Sequence, residues 1–341
     1  MAGAELMLRI ANMGFGNSPM EPDAFLHHVH PKNYQFVQQH PSGELGGFEI
    51  EYDADGRVFR GTKAAPLIAE ASATCRVALM GDSFTEGGQV PFDKTFAGVL
   101  EQAGRDKCVV RNYGVRSYSP AIYLVQWTRD IQAWQPDIVF LLLFGNDVRE
   151  DFNYLQTSTR DEQGFPTALR AQWAWQHSGE EQWTIGGVVE ENPDWGGLTP
   201  NLVLELNRRV TAAGSRLLVM AVSSRYRLMG DGKFRVEGDF HQTVKDFTAQ
   251  NGVEFLDLFR PFERASKAGV PLFFLQDIHF AEEGHLLTAD GGGQGVSRVF
   301  QPRRRDRRSG GHRCARRQSI QITAWGGVMR ARRSDSAEAL R

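Results

Sequence analysis

Four short blocks of this sequence hold residue types that could open an acyl bond. Gly81-Asp82-Ser83-Phe84 follows the apolar run Val77-Ala78-Leu79-Met80. A serine placed there presents its hydroxyl at a sheet edge, with its N–H near a helix N-terminus that stabilises negative charge. Gly-Asp-Ser is also a common loop sequence, so alone the block reads equally as a turn. Asn112-Tyr113-Gly114 follows Cys108-Val109-Val110. Glycine lets a backbone N–H approach a reacting carbonyl, although a plain turn is the readier reading. Gly145-Asn146-Asp147 ends the run Asp137–Phe144; the asparagine amide can donate to a developing oxyanion, or the pair can cap a helix. Asp277-Ile278-His279 is followed by Gly284-His285. Histidine is a base near neutral pH, and a neighbouring carboxylate fixes its tautomer and supports the imidazolium. On an extended segment, residues two apart project to the same side. Asp277, His279 and His285 could also be read as metal ligands, but no fourth ligand lies nearby. His27, His28 and His30 do not have the spacing of a zinc motif.

The elements that must carry these blocks alternate. Val77–Met80, Cys108–Val110, Asp137–Phe144, Leu217–Val222 and Val253–Leu256 read as buried strands. Helices are predicted over Thr95–Gln102, from Ser119-Pro120 (N-cap and N1 proline), over Leu202–Ala213 and from about Thr243. Such alternation argues for a parallel sheet covered on both faces, with the blocks at its strand ends, where open α/β sheets bind ligands. No Gly-x-Ser-x-Gly elbow and no Gly-x-x-x-x-Gly-Lys-[Ser/Thr] loop occurs.

In this order and at these strand ends, the blocks resemble the GDSL/SGNH hydrolase superfamily, over about residues 70–290. Phe84-Thr85-Glu86-Gly87 and Tyr118-Ser119-Pro120 are similar to a bacterial branch with an N-terminal extension. The resemblance implies a three-layer α/β/α, flavodoxin-like fold with about five parallel strands, and a serine esterase acting through an acyl-enzyme without metal or organic cofactor. It implies Ser83 as nucleophile, His279 as base and Asp277 as its partner. The oxyanion donors it implies are the N–H groups of Ser83 and Gly114 and the Asn146 side chain. The substrate is expected to be a small-molecule or glycan acyl ester. Acyl or acetyl transfer to a glycan hydroxyl and a degenerate glycan-binding scaffold are the alternatives. The spacing Asp-x-His departs from the family's commoner Asp-x-x-His.

Residues 1–70 read as a polar N-terminal extension with a strand at Phe48–Tyr52 and a turn at Asp53–Gly56. Residues 71–290 form the hydrolase domain. Within it, residues 151–198 break the rhythm with Trp173, Trp175, Trp183 and Trp195, as a helical excursion or a lid. From Gly291 the composition changes: residues 301–341 hold twelve arginines against three acidic residues, and no lysine. That segment reads as a disordered tail from a shifted reading frame, replacing the helix that packs on the sheet in relatives. Its arginines are not interleaved with aromatics, so no nucleic-acid partner is expected. Cys75, Cys108 and Cys314 offer no disulfide framework, and the first two read as buried small hydrophobes. No apolar run spans a bilayer and no signal peptide is visible, which places the chain as written in the cytoplasm. Glu5-Leu6-Met7-Leu8-Arg9 is the sort of stretch that follows a membrane helix in such relatives; with that helix upstream, the protein belongs to the cell envelope.

Overall fold

Strands begin earlier than the sequence predicts. The computed structural model describes residues 13–15, 19–39, 44–61, 67–171, 197–222 and 240–300. In the segment expected to be a polar extension lie β1 (Met13–Phe15), β2 (Glu21–Asp23), β3 (His27–Val29), β4 (Tyr34–Gln39) and β5 (Gly46–Tyr52). β2 and β3 form a hairpin, and β4 pairs with β1 and β5. Phe36, Ile50, Tyr52 and Val58 make a small core of their own. β5 contains the predicted strand at Phe48–Tyr52; β2 to β4 are short and carry polar residues, so their alternation is weak in the sequence. The predicted turn is present: Asp53 Oδ1 accepts the N–H groups of Asp55 (2.8 Å) and Arg57 (2.9 Å).

The main sheet is built as expected. In chain order come β6 (Cys75–Gly81), α1 (Ser83–Glu86), α2 (Phe96–Gly104), β7 (Cys108–Asn112), α3 (Pro120–Gln126), β8 (Ile138–Leu143), α4 (Asp147–Leu155), β9 (Ser158–Arg160), β10 (Pro166–Leu169), α5 (Thr199–Ala212), β11 (Arg216–Ala221), α6 (Phe240–Gln250), β12 (Glu254–Phe255), α7 (Phe259–Lys267) and α8 (Glu282–Phe300). The five strands β12-β11-β8-β6-β7 lie in that order, all parallel. This is the flavodoxin-like order. Side-chain alternation makes the three layers: Ile138, Phe140 and Leu142 of β8 enter one core, whereas Val139, Leu141 and Leu143 enter the other.

Two expectations are corrected. The C-terminal helix is not lost after His285: α8 continues through Gly291, Gly292 and Gly295 to Phe300 and packs on α2. A Cβ at Gly292 would meet Leu100 at 3.4 Å, and one at Gly295 would meet Leu218 at 3.0 Å and Phe140 at 3.3 Å. The glycines let this helix lie close to the sheet, and tertiary packing overrides their poor helix propensity. Cys75 and Cys108 are not free thiols. They are register partners at the start of β6 and β7, joined as a disulfide. The stretch Glu5–Ile10, the four tryptophans of the excursion, Cys314 and the arginine-rich tail lie outside the described residues.

Candidate active site

Ser83 is the first residue of α1, directly past the end of β6. Asp82 caps that short helix, its Oδ1 accepting the Phe84 N–H at 2.9 Å. The Asp82 side chain is buried, and this burial pushes its carboxyl up to about 6. The Ser83 hydroxyl lies 2.7 Å from His279 Nε2. On the far side of the ring, His279 Nδ1 is hydrogen-bonded to Asp277 Oδ1, which also accepts the His279 backbone N–H at 2.8 Å. Because a carboxylate only accepts, Nδ1 carries the proton and Nε2 is left to receive one from the serine. The short Asp-x-His spacing therefore brings the two side chains into contact within a tight loop. The imidazole also rests on Phe84, ring centroids 4.9 Å apart, and Phe84 is held in turn by Phe144 and Phe280.

Asn146 stands at the N-cap of α4, just beyond β8, and its side chain makes no cap bond to that helix. Asp147 closes the turn from β8 into the helix, its Oδ2 accepting the Phe144 N–H at 3.0 Å. Burial, with Asp82 as a neighbour, holds the Asp147 carboxyl well above the usual carboxylate range.

The Gly114 N–H, expected as an oxyanion donor, already has an acceptor in this structure. It is donated to Asn112 Oδ1 at 2.9 Å, while Asn112 Nδ2 donates to the Thr85 carbonyl at 2.8 Å. A Cβ at Gly114 would sit 2.4 Å from Glu86 N and 2.5 Å from Thr85 C. The glycine thus lets the loop lie flat on the backbone of α1. Next along, Val115 N–H goes to the Gly81 carbonyl (3.2 Å) and Arg116 N–H to Glu86 Oε2 (2.7 Å). Ser117 follows with a positive φ of 59°, and among the described residues nothing accepts its N–H or that of Ser83. Positive φ in a serine is a signal the sequence does not carry.

The histidine groups do not converge on a metal. His285 accepts the Phe96 N–H at 3.3 Å through Nδ1, and burial lowers it to about 3. His27 and His28 meet through their Nδ1 atoms, and His28 Nε2 and His30 Nδ1 each meet a backbone carbonyl. Among the described residues no three His, Cys, Asp or Glu side chains are grouped to hold one. A cavity of about 350 Å³ lies behind the Asn112–Val115 loop, lined by residues such as His30, Arg57, Tyr113 and Gly114, and does not include Ser83.

The stretch that carries these blocks has its counterpart in known sequences. The GDSL-like lipase/acylhydrolase family model matches residues 79–287. The chain belongs to that family. It is an ester-hydrolysing enzyme of GDSL type. No sequence among curated proteins matches it. Three solved structures are similar. LAE5, an alpha/beta hydrolase enzyme from the metagenome of Lake Arreo, Spain, has 13% identity, a TM-score of 0.44, and coverage of 69% of this chain and 99% of its own. The acetyl xylan esterase AlAXEase has 14% identity, a TM-score of 0.45, and coverage of 65% and 99%. A catalytic mutant of the acetylxylan esterase Axe2 from Geobacillus stearothermophilus has 14% identity, a TM-score of 0.44, and coverage of 66% and 95%. Among the described residues no helix is long and apolar enough to cross a membrane.

Proposed function

We propose that this enzyme cleaves carboxylic esters through an acyl-enzyme on Ser83. The observation that carries the reading is the chain of contacts Ser83 Oγ to His279 Nε2 (2.7 Å) and His279 Nδ1 to Asp277. The Ser83 oxygen attacks the ester carbonyl carbon while His279 Nε2 takes its proton. The C–O bond to the alcohol then breaks, and His279 returns that proton to the departing oxygen. Water attacks the acyl-enzyme in the same way, its proton going to Nε2; the C–O bond to Ser83 then breaks, His279 returns that proton to Ser83 Oγ, and the acid leaves. Asp277 holds the ring in the required tautomer and supports its positive charge.

The tetrahedral oxyanion needs N–H donors left unspent in the free enzyme. Gly114, Val115 and Arg116 have already donated theirs. By elimination the loop's donor is the Ser117 N–H, which joins the Ser83 N–H and the Asn146 amide. No step of this sequence draws on a metal or organic cofactor. The alcohol partner is a small molecule or a glycan hydroxyl.

A serine-directed alkyl phosphonate tests the assignment. Mass spectrometry is expected to find the adduct on the peptide containing Ser83, with hydrolysis of a short-chain chromogenic ester lost in parallel. Full inactivation with Ser83 unmodified would end the reading.

A further inference from the structure

Residues 19–61 reach both loops that carry the site. His28 Nε2 lies 2.8 Å from the Arg116 carbonyl. A carbonyl only accepts, so Nε2 carries the proton and, in the neutral ring, Nδ1 is bare. That Nδ1 receives the Nδ1–H of His27, 2.9 Å away. Burial lowers His27 to about 4 and His28 to about 3, so both rings are neutral near pH 7 and the relay has one direction. On the other side of Arg116, the N–H is donated to Glu86 Oε2 at 2.7 Å, and His30 packs beside that carboxylate, its Nε2 3.4 Å from Glu86 Oε1. His30 is anchored by its Nδ1–H on the Gly56 carbonyl at 2.9 Å. The Arg116 carbonyl is thereby tied to the N-terminal unit, and its N–H to α1. A trans peptide points its N–H opposite to its C=O, so the Ser117 N–H is aimed away from His28. The Ser117 carbonyl is fixed in turn by the Tyr154 hydroxyl at 2.8 Å.

A separate tie reaches the other loop. The Glu44 carboxylate accepts the backbone N–H groups of Leu275 and Gln276, the latter at 2.8 Å, immediately before Asp277.

We infer that the N-terminal β unit is the positioning element of the active site: His28 aims the Ser117 N–H, and Glu44 sets the loop of Asp277 and His279. The inference rests on the assignment of Ser83 and Ser117 proposed above. Both His28 and Glu44 act through backbone groups and are positioning residues.

Steady-state hydrolysis of a short-chain p-nitrophenyl ester by the full chain tests it, with parent, Ser83→Ala, His28→Asn, His28→Gln and Glu44→Ala compared alongside their melting temperatures. Asparagine keeps an acceptor facing His27 and drops the donor to Arg116; glutamine does the reverse. Each variant loses one buried hydrogen bond, so a purely structural role would affect them alike. The expected result for His28→Asn is a roughly ten- to hundredfold fall in kcat, part of what losing a whole oxyanion donor costs. Its KM should stay within about twofold of the parent, since the interaction is realised in the transition state. His28→Gln should recover kcat to within about fivefold of the parent, and Glu44→Ala should lower it about tenfold. Parent-like kcat in folded His28→Asn and Glu44→Ala overturns the inference, as does an equal fall in both His28 variants. Should His28→Asn not fold, Glu44→Ala against Glu44→Asp decides, and parent-like kcat in both is the overturning result. Ser83→Ala at the parent's rate would instead sink the nucleophile assignment.

Discussion

At the scale of single residues, the site separates groups that react from groups that hold. The Asn146 side chain makes no cap bond to α4 and meets the Glu150 carboxyl instead. Asn146→Ala should lower kcat for a short-chain ester by about 10²–10³. Gly114 acts by having no side chain. Gly114→Ala places a Cβ against backbone atoms of α1 that cannot swing aside. Its phosphonate labelling rate should fall by about a hundredfold or more, because an ångström of displacement at the nucleophile suffices for that. Ser117 is the reverse case, a serine in a backbone region where glycine is at ease. Ser117→Gly keeps the N–H and relieves roughly 1 kcal/mol of strain. Activity within about twofold of the parent, with an unchanged or higher urea midpoint, is the expected outcome. A large loss would show that the serine hydroxyl matters, against the proposed role of its amide.

Elements are joined by two features with measurable signatures. The Cys75–Cys108 disulfide closes a loop of sequence separation 33 between the first two sheet strands. In the chain-entropy picture such a loop contributes about 3–4 kcal/mol, so the Cys75→Ala/Cys108→Ala protein should unfold at clearly lower urea. Free-thiol titration of the native parent should miss both cysteines. Asp151 of α4 ties two other helices: it accepts the Ala121 N–H of α3 at 2.7 Å and the Thr199 hydroxyl of α5 at 2.6 Å. Its burial pushes the carboxyl up to about 7. The folded state then holds a proton that the unfolded chain releases near pH 4. This contribution to stability is complete below that pH and is lost as pH rises through about 7. Asp151→Asn removes the ionisation and keeps both contacts. The stability difference between parent and Asp151→Asn should move against the parent from pH 5 to pH 8, read from urea midpoints.

For the molecule as a whole, what can be read in advance follows burial. The five sheet strands are legible because a strand covered on both faces is a continuous apolar run, as in Ile138–Leu143. The site blocks are legible because sheet topology places them at strand ends. Asp277 and His279 are neighbours in sequence, so their partnership can be anticipated, whereas the 196-residue separation of His279 from Ser83 is closed only by the fold. The donors of the Asn112–Ser117 loop are not legible, since which amide is spent depends on the Asn112 rotamer and on Glu86. Nor are β2 to β4, whose narrow core leaves polar faces open, although the alternation of Phe48–Tyr52 does mark β5. α8 misleads because its glycines look like a breaker and act as a packing surface. Gly292→Ala meets only ordinary van der Waals contacts, and should raise stability by about 0.5–1 kcal/mol through helix propensity. Gly295→Leu should cost about 1–3 kcal/mol by overfilling the space at Leu218 and Phe140. Urea unfolding of the two variants checks both signs.

Kinship in sequence begins at residue 79, yet Arg116, Leu275 and Gln276 lean on side chains from His28 and Glu44. A gene shuffled with its cousins only across the shared stretch would inherit every reactive group and leave the scaffolding behind. The Arg116 carbonyl and two amides would then face solvent where a neighbour once stood. Donor sequences for such hybrids are best chosen by whether their leading segment can supply an imidazole and a carboxylate at those three backbone sites.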